Sequence, residues 1–146
     1  MDSDSIALRI DFGFVGNSAQ YKIAGWQAPE QGFTWTSGNK SSLAFPRPGL
    51  PGRYALELQV SPFVWRNKLS RQRLIITVND AQVGRFAVLH EAVLTCAIPW
   101  TLLTERGVCT VEFQLPDAAI PSEVNGVPDA RHLAIAFDEL RLLWLG

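Results

Sequence analysis

A period of two governs this chain. Ile6, Leu8, Ile10 and Phe12 alternate with Ala7, Arg9 and Asp11; Tyr54, Leu56, Leu58 and Val60 enclose Glu57 and Gln59; Val111, Phe113 and Leu115 enclose Glu112 and Gln114. Successive side chains of an extended strand point to opposite faces, so this spacing builds a sheet with one dry face and one wet face. A helix would need an apolar stripe recurring every three to four residues. Segments 72–78 and 82–88 meet across Asn79 and Asp80, residues that tolerate the left-handed backbone of a tight turn, and read as a β-hairpin. Segments 92–98 and 132–144 complete the set. The last, HLAIAFDELRLLWL, alternates to Phe137 and then turns almost wholly apolar, as expected of a central strand or of two strands joined by a bulge.

Helix is confined to a short turn in PWTLLTERG, with Pro99 at a permitted first position and Gly107 ending it. About eight strands without alternating helices predict an all-β fold, a jelly-roll-like antiparallel β-sandwich with little helix. The 146 residues suffice to bury roughly 70% of the unfolded surface, so residues 1–146 are read as a single β-sandwich domain.

Composition removes several classes. With 47% apolar and 18% charged residues the chain is globular. Thirteen Lys and Arg against 14 Asp and Glu leave a net charge of -1, which supplies no field toward nucleic acid. No stretch approaches the roughly 20 apolar residues that span a bilayer, and no basic segment leads into an apolar run at the start. The expectation is therefore no membrane insertion and a cytoplasmic location. Two cysteines exclude a disulfide-dense scaffold and a four-thiolate zinc site. Cys96 and Cys109 fall in predicted strands and are expected to be free buried thiols, although a cross-strand pairing stays open.

Two segments are too long for ordinary connections, 25–41 and 116–131, and function is expected there. A transition-metal site is not expected, since His90 and His132 stand alone and form no HxH or HExxH pattern. A structural calcium ion needs only oxygen ligands, which Asp11, Asp117, Asp129 and Asp138 could supply near loops; no other cofactor is expected. No GxSxG elbow is present. Glu30, Glu123 and Asp129 could form a glycosidase-like carboxylate pair across a cleft, but Asp129 has Arg131 within two residues as an ion-pair partner.

Aromatic residues in the loops are more informative. Trp26 and Trp35 bracket Glu30, and Trp65 opens the basic run WRNKLSRQR. A sugar ring stacks its apolar C–H face on an indole while its hydroxyls seek carboxylates, amides or guanidinium groups. The candidate ligand-binding residues are thus Trp26, Trp35 and Trp65 for stacking and Glu30, Asp129 and Arg131 for polar contacts. Trp100 and Trp144, in apolar settings, are expected to plug the sandwich edge. Arg66, Lys68, Arg71 and Arg73 form either a solvated face or an anion patch for phosphate or an acidic polysaccharide.

The segments GWQAPEQGFTWTSG, QRLIITVNDAQVGRF, CAIPWTLL, VEFQLP and PDARHLAIAFDELRL occur in this order from about Ile6 to Leu145. In order and spacing they resemble the carbohydrate-binding-like β-sandwich modules attached to bacterial glycosyltransferases and other surface-polysaccharide biosynthesis proteins. Gly25, Trp26, Glu30, Gly32, Trp35, Asn79, Asp129 and Arg131 are the positions that match the family pattern, and a Glu30–Arg131 pair tying the two long segments together would explain part of it structurally. The glycosyltransferase or membrane segment usual in that family is not part of this sequence. The resemblance therefore implies a module that acts by binding an oligo- or polysaccharide, a partner such as a glycosyltransferase, or itself as a homo-oligomer.

Three functions compete. The first is a non-catalytic carbohydrate-binding-like module serving bacterial exopolysaccharide or capsule biosynthesis. The second is a protein-interaction or oligomerisation module of the same fold, suggested by the apolar tail LRLLWLG. The third is a small glycan-modifying enzyme using the loop carboxylates, which requires a carboxyl group of raised pKa.

Overall fold

A computed structural model describes residues 5–146. The elements in chain order are β1 (Ser5–Asp11), a 3-10 turn (Ser18–Gln20), β2 (Lys22–Ala24), β3 (Thr34–Trp35), β4 (Lys40–Pro46), β5 (Tyr54–Pro62), β6 (Gln72–Val78) and β7 (Ala81–Val88). They continue with β8 (Ala92–Ile98), α1 (Trp100–Leu103), β9 (Val108–Gln114), α2 (Pro121–Val124) and β10 (Ile135–Trp144). One sheet has the order β1-β10-β5-β8, with β3 also pairing β10, and the other the order β2-β4-β9-β6-β7.

The antiparallel pairings are nested. The β6–β7 hairpin lies innermost in sequence, and around it β5 pairs β8, β4 pairs β9 and β1 pairs β10. This nesting, dealt alternately between two sheets, is the eight-stranded jelly roll. The predicted fold class stands, and β2 and β3 are short additions to it.

The period of two builds the core. Leu56, Leu58 and Val60 on β5 and Leu140 and Leu142 on β10 face Leu74, Ile76 and Val78 on β6 and Val111 and Phe113 on β9, all at most 1% exposed. Burying each such side chain stabilises the fold by about 1.5–3 kcal/mol before conformational entropy is counted. The apolar tail finds its explanation here, because β10 runs between β1 and β5 and is covered on its inner face. A register shift between Phe137 and Glu139 places a bulge at Asp138, so the last segment is one central strand carrying a bulge. Asn79 and Asp80 have φ of 48° and 73°, as the hairpin reading requires.

Two expectations need correction. Segment 25–41 is not an irregular loop. Bridges Trp26↔Thr36 and Glu30↔Phe33 make it a small hairpin that continues through β3 into β4. The sequence pattern hid β4 because its first inward residue is polar: Ser41 is 0% exposed, and its hydroxyl donates to the Gly25 carbonyl oxygen at 2.5 Å. Segment 116–131 contains α2 and is anchored by the bridge Ala119↔Leu133.

Cys96 and Cys109 are free thiols. Trp100 stacks on Tyr54 with ring centroids 5.8 Å apart, and the Trp144 indole N–H donates to the Pro51 carbonyl oxygen, both as edge plugs. Among the described residues no helix is long and apolar enough to cross a membrane.

Candidate functional site

The registers bring the long connections to one end of the sandwich. Asp11 lies beside Glu139, Pro62 beside Ile135, Lys40 beside Gln114 and Gln72 beside Val88, so the connections 12–39, 63–71, 89–91 and 115–134 emerge together. Backbone hydrogen bonds lace them: Phe14 N–H to Glu30 O, Thr36 N–H to Ile135 O, Gly38 N–H to His132 O and Phe63 N–H to Ala134 O. Gly25 is where this hairpin turns back over the sheet. Its φ is 84°, and a Cβ there would stand 2.1 Å from the Lys40 carbonyl oxygen.

The three candidate tryptophans go to different places. Trp26 belongs to the core edge: its ring lies 5.3 Å from Phe12, 5.2 Å from Phe137 and 6.2 Å from Phe113, and its N–H donates to the Ser42 carbonyl oxygen at 2.9 Å. Those contacts occupy the indole, so Trp26 is corrected from stacking candidate to packing residue. Trp35 follows Thr34, which is fully buried with its hydroxyl on the Phe12 carbonyl oxygen. Alternation therefore turns Trp35 outward, onto the outer surface of the sheet that carries β10, where its backbone partner is Ala136. There it meets Phe33 at 6.2 Å and Phe63 at 6.5 Å, both edge to face. Trp65 sits in a small closed loop, its backbone bonded to Leu69, and the Arg66 guanidinium covers its ring at 4.8 Å. The Trp35 indole N–H makes no hydrogen bond to any described residue, unlike those of Trp26 and Trp144.

The polar candidates do come together. Arg131 donates through Nη2 to Asp129 Oδ2 at 2.8 Å and through Nη1 to Glu30 Oε2 at 3.3 Å, joining the two long segments. Hydrogen bonds from the Arg131 side chain, then from its backbone N–H, hold the Asp129 carboxyl down at about 2. Glu30 pairs with Phe33 in the hairpin, which puts its side chain on the face that bears Phe33 and Trp35. Sequence reasoning missed Phe33 and Phe63. Phe33 was legible as the residue two before Trp35 on the same strand face, whereas Phe63 follows the end of β5 and gave no signal.

Farther along this surface a charge ladder crosses three strands. Glu139 accepts from Arg9 on β1 and from Arg141 on its own strand, and Arg141 approaches Glu57 on β5 at 3.9 Å. At the bulge, burial first and Glu91 second push the Asp138 carboxyl above the usual carboxylate range.

The four aspartates considered for calcium do not form one cluster. Asp117 is held by Arg73 and Asp129 by Arg131, Asp11 caps the Gly13 N–H and Asp138 lies at the bulge. Among the described residues no three His, Cys, Asp or Glu side chains gather into a metal site. His90 Nδ1 lies 3.0 Å from the Glu91 carbonyl oxygen and His132 Nε2 lies 3.0 Å from that of Ala118. Asp129, kept ionised, does not meet the requirement of a glycosidase acid, and Glu123 stands exposed on α2.

No family model matches this sequence, and no curated protein is similar to it. Among solved structures, the fold is similar to a CBM22-1 xylan-binding domain from Paenibacillus barcinonensis, with a TM-score of 0.61 and 15% identity over 99% of this chain and 97% of that one. It is similar to a CBM36-1 domain of a multidomain xylanase from the hindgut metagenome of Trinervitermes trinervoides, with a TM-score of 0.55 and 13% identity over 99% of both chains. It is also similar to part of a family GH115 4-O-methyl-α-glucuronidase with specificity for decorated arabinogalactans, with a TM-score of 0.62 and 10% identity. That match covers 97% of this chain and 18% of the glucuronidase. The fold is that of the carbohydrate-binding-module β-sandwiches.

Proposed function

We propose that this chain is a non-catalytic carbohydrate-binding module whose ligand lies on the outer surface of the β10-bearing sheet, over Trp35. The observation that carries this reading is the position of Trp35. It is turned away from the core, braced edge to face by Phe33 and Phe63, and its indole N–H has no partner among the described residues. Aromatic carbon beside a fixed polar group is what a sugar ring requires, and the Glu30–Arg131–Asp129 cluster supplies carboxylate acceptors and a guanidinium donor on the neighbouring loops. An Asp129 carboxyl that stays ionised accepts sugar hydroxyls and donates no proton to a leaving group, which favours binding over hydrolysis. The carbohydrate-binding modules of like fold support the same reading. The segment order supports a narrower one, service in bacterial surface-polysaccharide assembly beside a glycosyltransferase.

Calorimetric titration with xylo-oligosaccharides, arabinogalactan oligomers and bacterial exopolysaccharide fragments tests the proposal. Saturable binding to at least one, lost in Trp35→Ala with the fold intact and retained in Trp65→Ala, is expected. Silence across the panel, or binding indifferent to Trp35→Ala, overturns it. For the narrower reading, the immobilised chain is expected to retain a glycosyltransferase from a polysaccharide-producing bacterial extract, and retention of none counts against it.

A further inference from the structure

The opposite sheet carries a second, differently built surface. On β6, Gln72 and Leu74 point inward at 0% exposure, so Arg71, Arg73 and Ile75 point outward. The hairpin register sets Arg85 of β7 opposite Ile75 and Ala87 opposite Arg73, which places Arg85 diagonally across from Arg73 on the same outer face. Between these side chains and Pro116 lies a cleft of about 210 Å³. Its size falls below the about 300 Å³ at the small end of drug-sized ligand sites, which suits a single sugar unit.

The charges in this cleft are unequal in role. Arg73 is fixed by Asp117, with Nε to Oδ2 at 2.9 Å, Nη2 to Oδ1 at 2.7 Å and its backbone N–H to Oδ2 at 2.9 Å. This bidentate pair pins Pro116 and Asp117 against β6 and forms the cleft wall. Arg71 and Arg85 have no carboxylate within ion-pair distance among the described residues. Three guanidinium groups less one carboxylate leave two positive charges in a cleft whose remaining lining, Ile75, Phe86, Ala87 and Pro116, is apolar.

From this juxtaposition we infer that the Arg71–Arg85 cleft binds the carboxylate of an acidic sugar, a uronate unit of a polysaccharide, with the sugar's C–H face against Ile75, Ala87 and Pro116. A guanidinium fork matches a planar carboxylate in two hydrogen bonds. The apolar wall suits a pyranose ring better than a phosphodiester backbone, and the overall charge of -1 supplies no field for a polyphosphate. The inference rests on the carbohydrate-binding reading but uses residues on the other sheet, so the two are separable. Arg85 comes from a strand outside the basic run and is brought to it by the hairpin alone. Of that run, Arg66 is committed to Trp65.

The test is calorimetry at low ionic strength with oligomers of galacturonate and of glucuronate, their methyl esters, and an oligothymidylate. Saturable binding of at least one uronate oligomer is expected, weakened about tenfold by Arg85→Gln and by Arg71→Gln, weakened less by Arg85→Lys, and abolished by methyl esterification. Trp35→Ala is expected to leave it within about twofold. Failure of both uronates to bind overturns the inference, as does equal binding of the esters, tighter binding of oligothymidylate, or indifference to both arginine variants in proteins of unchanged melting temperature. Uronate binding lost only in Trp35→Ala overturns it while leaving the Trp35 site standing. Silence of the neutral panel with arginine-dependent uronate binding does the reverse.

Discussion

At the scale of single residues, chemistry is set by the face on which a side chain emerges. Trp26 and Trp35 are nine positions apart on one hairpin, yet one completes the core and the other leaves it. Trp26→Ala is expected to destabilise the protein by about 3 kcal/mol, near the low end for truncating a large aromatic residue because the site is half-buried. Chemical denaturation reads this directly, whereas Trp35→Ala is expected to cost under about 1 kcal/mol. Asp129 makes a prediction in pH. Its carboxyl sits at about 2 in the folded protein against an ordinary 3.8. The unfolded chain therefore takes up the proton first, and the stabilisation is complete above about pH 4 and disappears as pH falls through about 2. Thermal melts of the wild type and Asp129→Asn are expected to differ at neutral pH and to converge across that window; a constant offset would contradict the pairing. The sequence showed which residue types could meet a sugar, and the Arg131 pairing was legible from spacing. Which tryptophan faced outward was not, because that depends on Thr34 being drawn inward by the Phe12 carbonyl oxygen, a contact across 22 residues.

At the scale of elements, the strands that follow strict alternation were readable, and those whose inward positions hold polar residues were not. β4 shows the failure: Ser41 and Ser42 occupy buried positions against the neighbouring hairpin, where the Ser41 hydroxyl donates to the Gly25 carbonyl oxygen and the Ser42 carbonyl oxygen accepts from the Trp26 indole N–H, so no apolar period marks the strand start. The β6–β7 turn shows the success and carries a prediction. Asn79 is 3% exposed, its amide donates to the Leu102 carbonyl oxygen, and its side-chain oxygen accepts from the Thr110 N–H. One residue thus holds the turn, α1 and β9 together in a left-handed conformation. Asn79→Ala strands both partners and strains the backbone, and is expected to cost about 3 kcal/mol in urea denaturation, with Asn79→Asp recovering part. A loss under about 1 kcal/mol would show that the turn is held by other contacts.

At the scale of the whole molecule, nested pairing makes the fold non-local. β10 is the last strand in sequence and lies second in its sheet, between β1 and β5, so no sheet of that order can close before the end of the described chain is present. Refolding followed by tryptophan fluorescence is expected in milliseconds to seconds, as for other sandwiches with long-range strand pairing, and microsecond refolding would be incompatible with this route. The same nesting has a consequence for engineering. Ser5 pairs with Trp144, so the two ends of the described chain stand side by side, at the pole opposite the Trp35 loops. A short peptide linker can join them and new ends can be opened elsewhere, or the sandwich can be spliced into a surface turn of a host enzyme. Either rearrangement leaves the aromatic pole pointing outward, like a head on a stalk.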